Sequence, residues 1–307
     1  MKAHIIVLNY NGIEIMNECI ASVVKAARNS EKGCLVTVLD NKSTDESLPW
    51  LKSHYPEINI VVADENRVLC SYNKVVESIK EEVVILLNND IKLDANAVDP
   101  LIAFFEDNND AFFVASKVFD FSGKKYEGNL TRFFFRWGFF GAEAQFKGHE
   151  RLISSSGLSM QQGFGAFSRV KFVELGGYDD IYLPGRLEDS DICFRAWKRG
   201  WKGYYEPESV MLHKGGESFK KDFGIRKTLV MNFKNTYLFI CKNLSWKYVV
   251  LSLVMALPRN LVFLLKGRPE FFMGFLQSLP RIAEAIRRRD RNREAVYSDE
   301  DLFEMIK

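Results

Sequence analysis

The sequence predicts an α/β fold: a doubly wound, mostly parallel sheet with a helical extension at its C-terminal end. Three observations predict it. Short β-rich runs alternate with segments of helical spacing over the first half, polar clusters fall directly after several of these runs, and from about residue 226 the pattern turns helical and basic. The 307 residues suffice for one large domain or two small ones with an ample core. With 47% hydrophobic and 27% charged residues the chain is globular in composition and not disordered.

The β-rich runs are Ala3–Leu8, Leu35–Leu39, Ile58–Val62, Val83–Leu87 and Ala111–Ala115; helical spacing covers Ile13–Ala27 and Ala95–Phe105. The runs are apolar on both faces, as strands covered by helices on two sides are. Such a sheet binds ligands at the C-terminal ends of its strands. Asn9-Tyr10-Asn11-Gly12, Asp40-Asn41-Lys42-Ser43 and Asn88-Asn89-Asp90 each follow a strand, so three polar clusters converge on one edge. Ser43-Thr44-Asp45-Glu46 reads as a helix start, with capping hydroxyls and acids that suit the helix dipole. Asp40 ends an apolar strand and is better placed to meet a ligand.

Between Val118 and Gly157 the pattern weakens and Phe133, Phe134, Phe135, Trp137, Phe139 and Phe140 crowd together. Their large apolar area makes core the expected place. Order returns with a strand at Gly163–Ser168, helices at Arg169–Leu175 and Asp189–Arg199, and strands at Gly203–Glu206 and Ser209–Leu212. Gly200 suits the C-cap of the second helix. Glu188, Asp189 and Asp191 crowd three acids at that helix's N-terminus, and His213 follows just before Gly215-Gly216. Buried carboxylates are costly unless paired or bound to metal, and mutual repulsion is expected to raise at least one pKa. Asp191 and Arg195, four residues apart, predict a helix-surface ion pair.

The net charge of +2 hides an uneven distribution. Residues 220–293 hold 16 Lys/Arg against 4 Asp/Glu, which points to an anionic surface as partner. The apolar runs there are interrupted by Lys242, Lys247, Arg259, Lys266 and Arg268, and the longest uncharged one, Tyr248–Pro258, is 11 residues. A spanning helix needs about 20, so an interfacial helical region over 226–293 is expected, closed by Arg287-Arg288-Arg289 with Arg291 and Arg293. The five cysteines are scattered without any C-x-x-C pair, which suits a reducing compartment and neither a disulfide framework nor a zinc site. The chain opens on a strand-like run with no signal-peptide pattern.

Val7-Leu8-Asn9-Tyr10-Asn11-Gly12, Val38-Leu39-Asp40-Asn41-Lys42-Ser43-Thr44-Asp45, Leu87-Asn88-Asn89-Asp90 and Glu188-Asp189-x-Asp191, followed by the His213 segment, occur in an order that resembles family 2 glycosyltransferases. This is the inverting group of GT-A fold, and the branch looks like the rhamnosyltransferase-like enzymes of bacterial polysaccharide assembly. The likeness covers roughly residues 1–220, and its motifs are specific for the superfamily but not for the sugar. It implies a donor-binding half at 1–115, an acceptor-binding and catalytic half at 116–220, and the basic amphipathic extension at 221–307.

It also implies residue roles. Tyr10, Asn11, Asp40, Asn89 and Asp90 would bind the nucleotide sugar, with Tyr10 stacking on the base and Asp40 accepting from the N3–H that uracil and thymine share. A UDP- or dTDP-sugar is then favoured over a GDP-sugar. Asp90 and His213 would hold a divalent cation that stabilises the leaving diphosphate, and a mixed oxygen and imidazole shell favours Mn²⁺ over Mg²⁺. Asp189 matches the general base, with Glu188 beside it as catalytic partner or acceptor contact, and Gln162 and Gly163 face the acceptor. The acceptor would be a hydroxyl of a lipid-linked or polysaccharide glycan, met peripherally at the cytoplasmic face of the cell membrane, with no nucleic-acid partner.

One segment departs from the family pattern. Arg67 to Val75 holds no glycine where relatives have a glycine-rich turn, which puts that part of the donor pocket in question. Two other readings compete. A nucleotidyltransferase would carry a cationic glycine-rich loop after its first strand, which Leu8–Gly12 lacks. A non-catalytic glycan-binding or membrane-scaffold relative would have no need of the acids.

Overall fold

The computed structural model describes residues 1–215, 217–289 and 295–306, with backbone alone for 217–223. In chain order the strands are β1 (Ala3–Asn9), β2 (Cys34–Asp40), β3 (Asn59–Val62), β4 (Val83–Asn88), β5 (Ile91–Leu93), β6 (Ala111–Asp120), β7 (Tyr126–Gly128), β8 (Arg132–Arg136), β9 (Phe139–Glu143), β10 (Gly157–Leu158), β11 (Gly165–Ser168) and β12 (Lys202–His213). The helices are α1 (Ile13–Asn29), α2 (Ser47–His54), α3 (Tyr72–Ser78), α4 (Val98–Asp107), α5 (Arg169–Glu174), α6 (Glu188–Lys198), α7 (Glu217–Asn243), α8 (Trp246–Leu265), α9 (Glu270–Arg287) and α10 (Asp299–Glu304).

Ten strands form one sheet in the order β10-β12-β6-β11-β4-β1-β2-β3, with β5 added to β12 and β7 to β6. Neighbours among β3, β2, β1 and β4 are parallel, β11 inserts antiparallel between β4 and β6, and β12 is parallel to β6. Register matters most for the site. Asn9 lies opposite Asp40, and Leu8 opposite both Leu39 and Asn88, so β1, β2 and β4 end level. The polar clusters that follow them therefore sit side by side.

Period-2 alternation splits the buried side chains between the sheet's two faces. Ile5 and Val7 pack with Met16, Ile20 and Val23 of α1 and Leu101 and Ile102 of α4. Ile6 and Leu86 belong to the opposite cluster, with Phe167, Ile192, Phe194 and Trp197. Two expected strands, 203–206 and 209–212, are one strand, β12, with a register shift between Glu206 and Val210. The aromatic crowd is only partly core. In the hairpin β8–β9, Phe133 and Phe140 are buried, while Phe134 and Phe139 turn to a cleft and Trp137 at the tip is exposed.

The C-terminal helices are part of the body. Leu238, Phe239 and Ile240 of α7 join the core, and α7 packs along α9. Several cations of this region, expected to be interfacial, point inward. Lys234, Lys242 and Arg259 are buried, Arg288 pairs with Asp180 (2.7 Å), and Arg289 donates to the Cys241 and Leu244 carbonyls (2.6 Å each). Arg291 and Arg293 lie outside the described residues. Helix α8 is, by length and composition only, long and apolar enough to cross a membrane, contrary to the inference from uncharged runs. That criterion treated Arg259 as a break, although the 20-residue helix as a whole holds only Lys247 and Arg259 as charges. Its Val250, Leu253, Val254, Leu257, Leu261 and Leu265 are exposed.

Candidate active site

The polar clusters after β1, β2 and β4 lock together through side chains. Asn9 Nδ2 donates to Asp40 Oδ1 (2.8 Å), and Asn89 Nδ2 donates to Asn9 Oδ1 (2.8 Å). Gly12 makes this approach possible: a Cβ there would lie 1.9 Å from Asn89 Nδ2. Asp40 is fully buried, and its oxygens accept from Asn9, from Ser43 N (2.8 Å) and from Ser43 Oγ (2.5 Å). The base-reading position expected of Asp40 is corrected: Asp40 is fully buried against the loop and does not line the cleft, where Asn41 stands instead. Asn11 is corrected likewise. Its Oδ1 accepts from Thr44 N (2.8 Å), joining the loops after β1 and β2, and it does not line the cleft. Tyr10, Asn89 and Asp90 do.

Asp90 and His213 meet because β5 pairs antiparallel with β12, putting His213 opposite Ile91. His213 Nε2 is 3.5 Å from Asp90 Oδ2, and His213 Nδ1 donates to Glu127 Oε2 (2.8 Å). A carboxylate on Nδ1 fixes the tautomer and leaves Nε2 to face Asp90, the arrangement that orients imidazole metal ligands. Burial alone would lower the His213 pKa, but Asp90 and then Glu127 outweigh it and raise it. Asp90 Oδ1 is buried with no hydrogen-bond partner among the described residues. An orphaned carboxylate oxygen beside a carboxylate-braced imidazole fits a divalent cation. No group of three or more such ligands forms a cage among the described residues, so a cation there needs oxygens from its substrate. Of the Gly215-Gly216 turn, Gly215 is left-handed (φ +82) and Gly216 lies outside the described residues.

Across the same cleft, of about 1210 Å³, stands the N-terminus of α6 with Glu188 and Asp189. Asp189 Oδ2 accepts from Gln161 Nε2 (2.9 Å) and Oδ1 from Ser190 N (2.8 Å), and Ser190 Oγ donates to Gln161 Oε1 (2.6 Å). Burial raises the Asp189 carboxyl above its usual range. Burial and then the Asp189 charge push Glu188 up to about 8. Gln162 is corrected: it is buried, donates weakly to the Ala166 carbonyl and does not line the cleft, whereas Gln161 and Gly163 do. A one-residue shift in an extended segment turns the side chain to the other face.

Asp191 forms the expected pair with Arg195 (2.7 Å), but not at the surface. It is fully buried and also binds Lys242 Nζ (2.7 Å), Tyr182 OH (2.8 Å) and Asn243 Nδ2 (2.8 Å). Burial alone would raise this carboxyl; Arg195 and Lys242 outweigh it and hold it far below the usual range. The loop leading into α6 is held by α7, whose buried Asn235 Nδ2 donates to the Tyr182, Gly185 and Arg186 carbonyls (2.6, 2.7 and 2.9 Å). Arg186 and Leu187 both have positive φ (78° and 76°), a conformation unfavourable for side-chain-bearing residues that here aims Glu188 and Asp189. The glycine-free segment lines the donor side through Val68 and Leu69, and Val68 adopts φ +46, a value glycine takes without strain.

Gln161, Glu127, Asn41, Arg186 and Asn235 were not legible as site residues. Gln161 and Asn41 sat beside chosen positions, and the others lie in segments without a motif.

A parallel-centred sheet with polar strand ends, and acids on both walls of the cleft beyond them, defines a GT-A glycosyltransferase fold with a C-terminal helical region. The chain belongs to glycosyl transferase family 2, whose model matches residues 4–172, more than half of its length. No curated protein matches it in sequence. Solved structures with similar folds include S. aureus TarS 1–349 in complex with UDP-GlcNAc, with TM-score 0.60 and 14% identity over 93% of this chain and 82% of that one. GalNAc-T7 with UDP, GalNAc and Mn²⁺ gives TM-score 0.59 and 17% identity over 81% of this chain. The mannosyltransferase PcManGT from Pyrobaculum calidifontis, with GDP-Man and Mn²⁺, gives TM-score 0.54 and 12% identity over 90% of this chain and 86% of that one. The chain spans about half (49%) of the GalNAc-T7 chain it matches.

Proposed function

We propose that the protein is an inverting glycosyltransferase that moves a sugar from a nucleotide sugar to an acceptor hydroxyl, with metal assistance and Asp189 as general base. One observation carries this reading: Asp90 with His213, and Asp189 with Glu188, line a single cleft. Asp90 and His213 would hold a divalent cation, Mn²⁺ by preference for the mixed shell, and when bound it would supply Lewis-acid stabilisation of the leaving diphosphate. Two of the structural neighbours were solved with Mn²⁺. Tyr10 stacks on the base, and Asn41, whose buried Oδ1 has no partner among the described residues, accepts the N–H that Asp40 cannot reach. That pairing supports a UDP- or dTDP-sugar, and a rhamnosyl-type donor fits the same motifs. Gln161 and Ser190 N hold the Asp189 carboxylate so that it takes the acceptor's proton as that oxygen attacks the anomeric carbon on the face opposite the diphosphate. Glu188, mostly protonated at neutral pH, is a hydrogen-bond donor to the acceptor.

The exposed apolar face of α8 supports a peripheral seat on the inner face of the cell membrane, with the helix lying in the interface. Asp189→Asn tests the assignment of the base. Transfer should fall at least a thousandfold while calorimetry finds nucleotide-sugar affinity within twofold of wild type. Undiminished turnover would refute the assignment.

A further inference from the structure

Arg259 of α8 lines the cleft, is buried, and has no carboxylate partner among the described residues. Its Nη1 donates to the Trp137 carbonyl and its Nη2 to Tyr237 OH (2.6 Å), while Nε has no acceptor among the described residues. The guanidinium lies 3.9 Å over the Phe139 ring. Two neighbouring cations show how the fold handles charge elsewhere. Lys242 is neutralised by Asp179 and Asp191, and burial lowers the Lys234 pKa to about 8, so it can shed its proton. A guanidinium cannot do that. A buried permanent cation with a spare donor, facing a cleft, is a seat for an anion.

The wall beside Arg259 is apolar. Phe271 stacks on Phe233 and on Phe263 at 3.7 Å each. Phe263 and Phe271 sit on α8 and α9, which expose Leu261 and Leu276. We propose that the acceptor hydroxyl belongs to a sugar borne on a lipid phosphate: Arg259 holds the phosphate, and the lipid chain runs along the phenylalanine stack onto the exposed face of α8 and α9. The acceptor class rests on the glycosyltransferase reading above; the anion seat itself does not. The lipid is favoured over a water-soluble phosphate ester because a soluble acceptor has no use for an apolar wall that continues to an apolar surface.

The test is calorimetric binding of farnesyl phosphate, farnesol and inorganic phosphate to the full chain, with UDP titrated separately in Mn²⁺. Farnesyl phosphate should bind at least tenfold tighter than farnesol and than inorganic phosphate. Arg259→Gln should erase the gap between phosphate and alcohol and leave UDP affinity unchanged, and Arg259→Lys should keep part of it. The wild-type comparison stands even where Arg259→Gln does not fold. Equal binding of farnesyl phosphate and farnesol overturns the seat. Inorganic phosphate as tight as farnesyl phosphate overturns the lipid, and loss of UDP binding in a folded Arg259→Gln assigns the seat to the donor, against the proposal. Failure to bind UDP, with the phosphate-over-alcohol preference intact, strikes the donor reading and upholds the seat.

Discussion

At the scale of single residues, the two acids that open α6 differ in their surroundings, and the proposed function gives them different tasks. Burial and then the Asp189 charge push the Glu188 carboxyl from 4.5 up to about 8, and one of its oxygens is buried without a partner among the described residues. A raised carboxyl pKa means the folded state binds a proton that the unfolded chain has already released, so stability falls as pH rises from 4.5 to about 8. Glu188→Gln is expected to raise Tm, by little at pH 5 and by several degrees at pH 8, read by calorimetry at both. Equal shifts at the two pH values would contradict the burial account. Asp189, also raised, must be ionised to act, so kcat/KM should fall on the acid side at a pH above the usual carboxylate range. A pH–rate profile that stays flat down to pH 4 would sink the role. The sequence made Asp90, Asp189 and His213 legible because each sits in a motif at a strand or helix end. It misled at Asp40 and Gln162, because burial and the facing of one side chain depend on neighbours far away in the chain.

At the scale of elements, helix α6, which carries the proposed base, is fastened to α7. Lys242 reaches Asp191 and Asp179, and Asn235 holds the loop before Glu188. Lys242→Met takes a cation from the fully buried Asp191 and from the partly exposed Asp179 and should cost about 3–5 kcal/mol, the usual result of breaking a buried pair from one side; urea unfolding measures it. Asn235→Ala should lower kcat ten- to a hundredfold with donor KM nearly unchanged, because it frees the strained Arg186-Leu187 turn and not the donor wall. A change confined to donor KM would place Asn235 elsewhere in the mechanism. The strands of the first half were legible from apolar runs alone. The hairpin β8–β9 was not: its phenylalanines alternate between core and cleft, and composition gives no hint of which faces which. The inward cations of α7 and α9 were hidden too, since a lysine that pairs in the core and one that meets water look alike in sequence.

For the whole molecule, one sheet presents level strand ends to the cleft, and the C-terminal helices close its far wall while turning an apolar side outward. Val254→Asp with Leu257→Asp, both on exposed sites of α8, should release the protein from anionic vesicles in flotation assays without lowering Tm. Retained flotation would move the membrane contact off this helix. The α/β architecture and its order of motifs were readable from end to end. The merging of the C-terminal region into the core was not, because it depends on which face of α7 meets α6 and α9. The proposed function rests on a cation that Asp90 and His213 would hold in the cleft that Asp189 lines. Anomalous diffraction from crystals grown with Mn²⁺ and UDP tests this most directly. A dominant manganese peak touching the Asp90 carboxylate and His213 Nε2 is the expected result, and a peak elsewhere, with that pair bare, would contradict it.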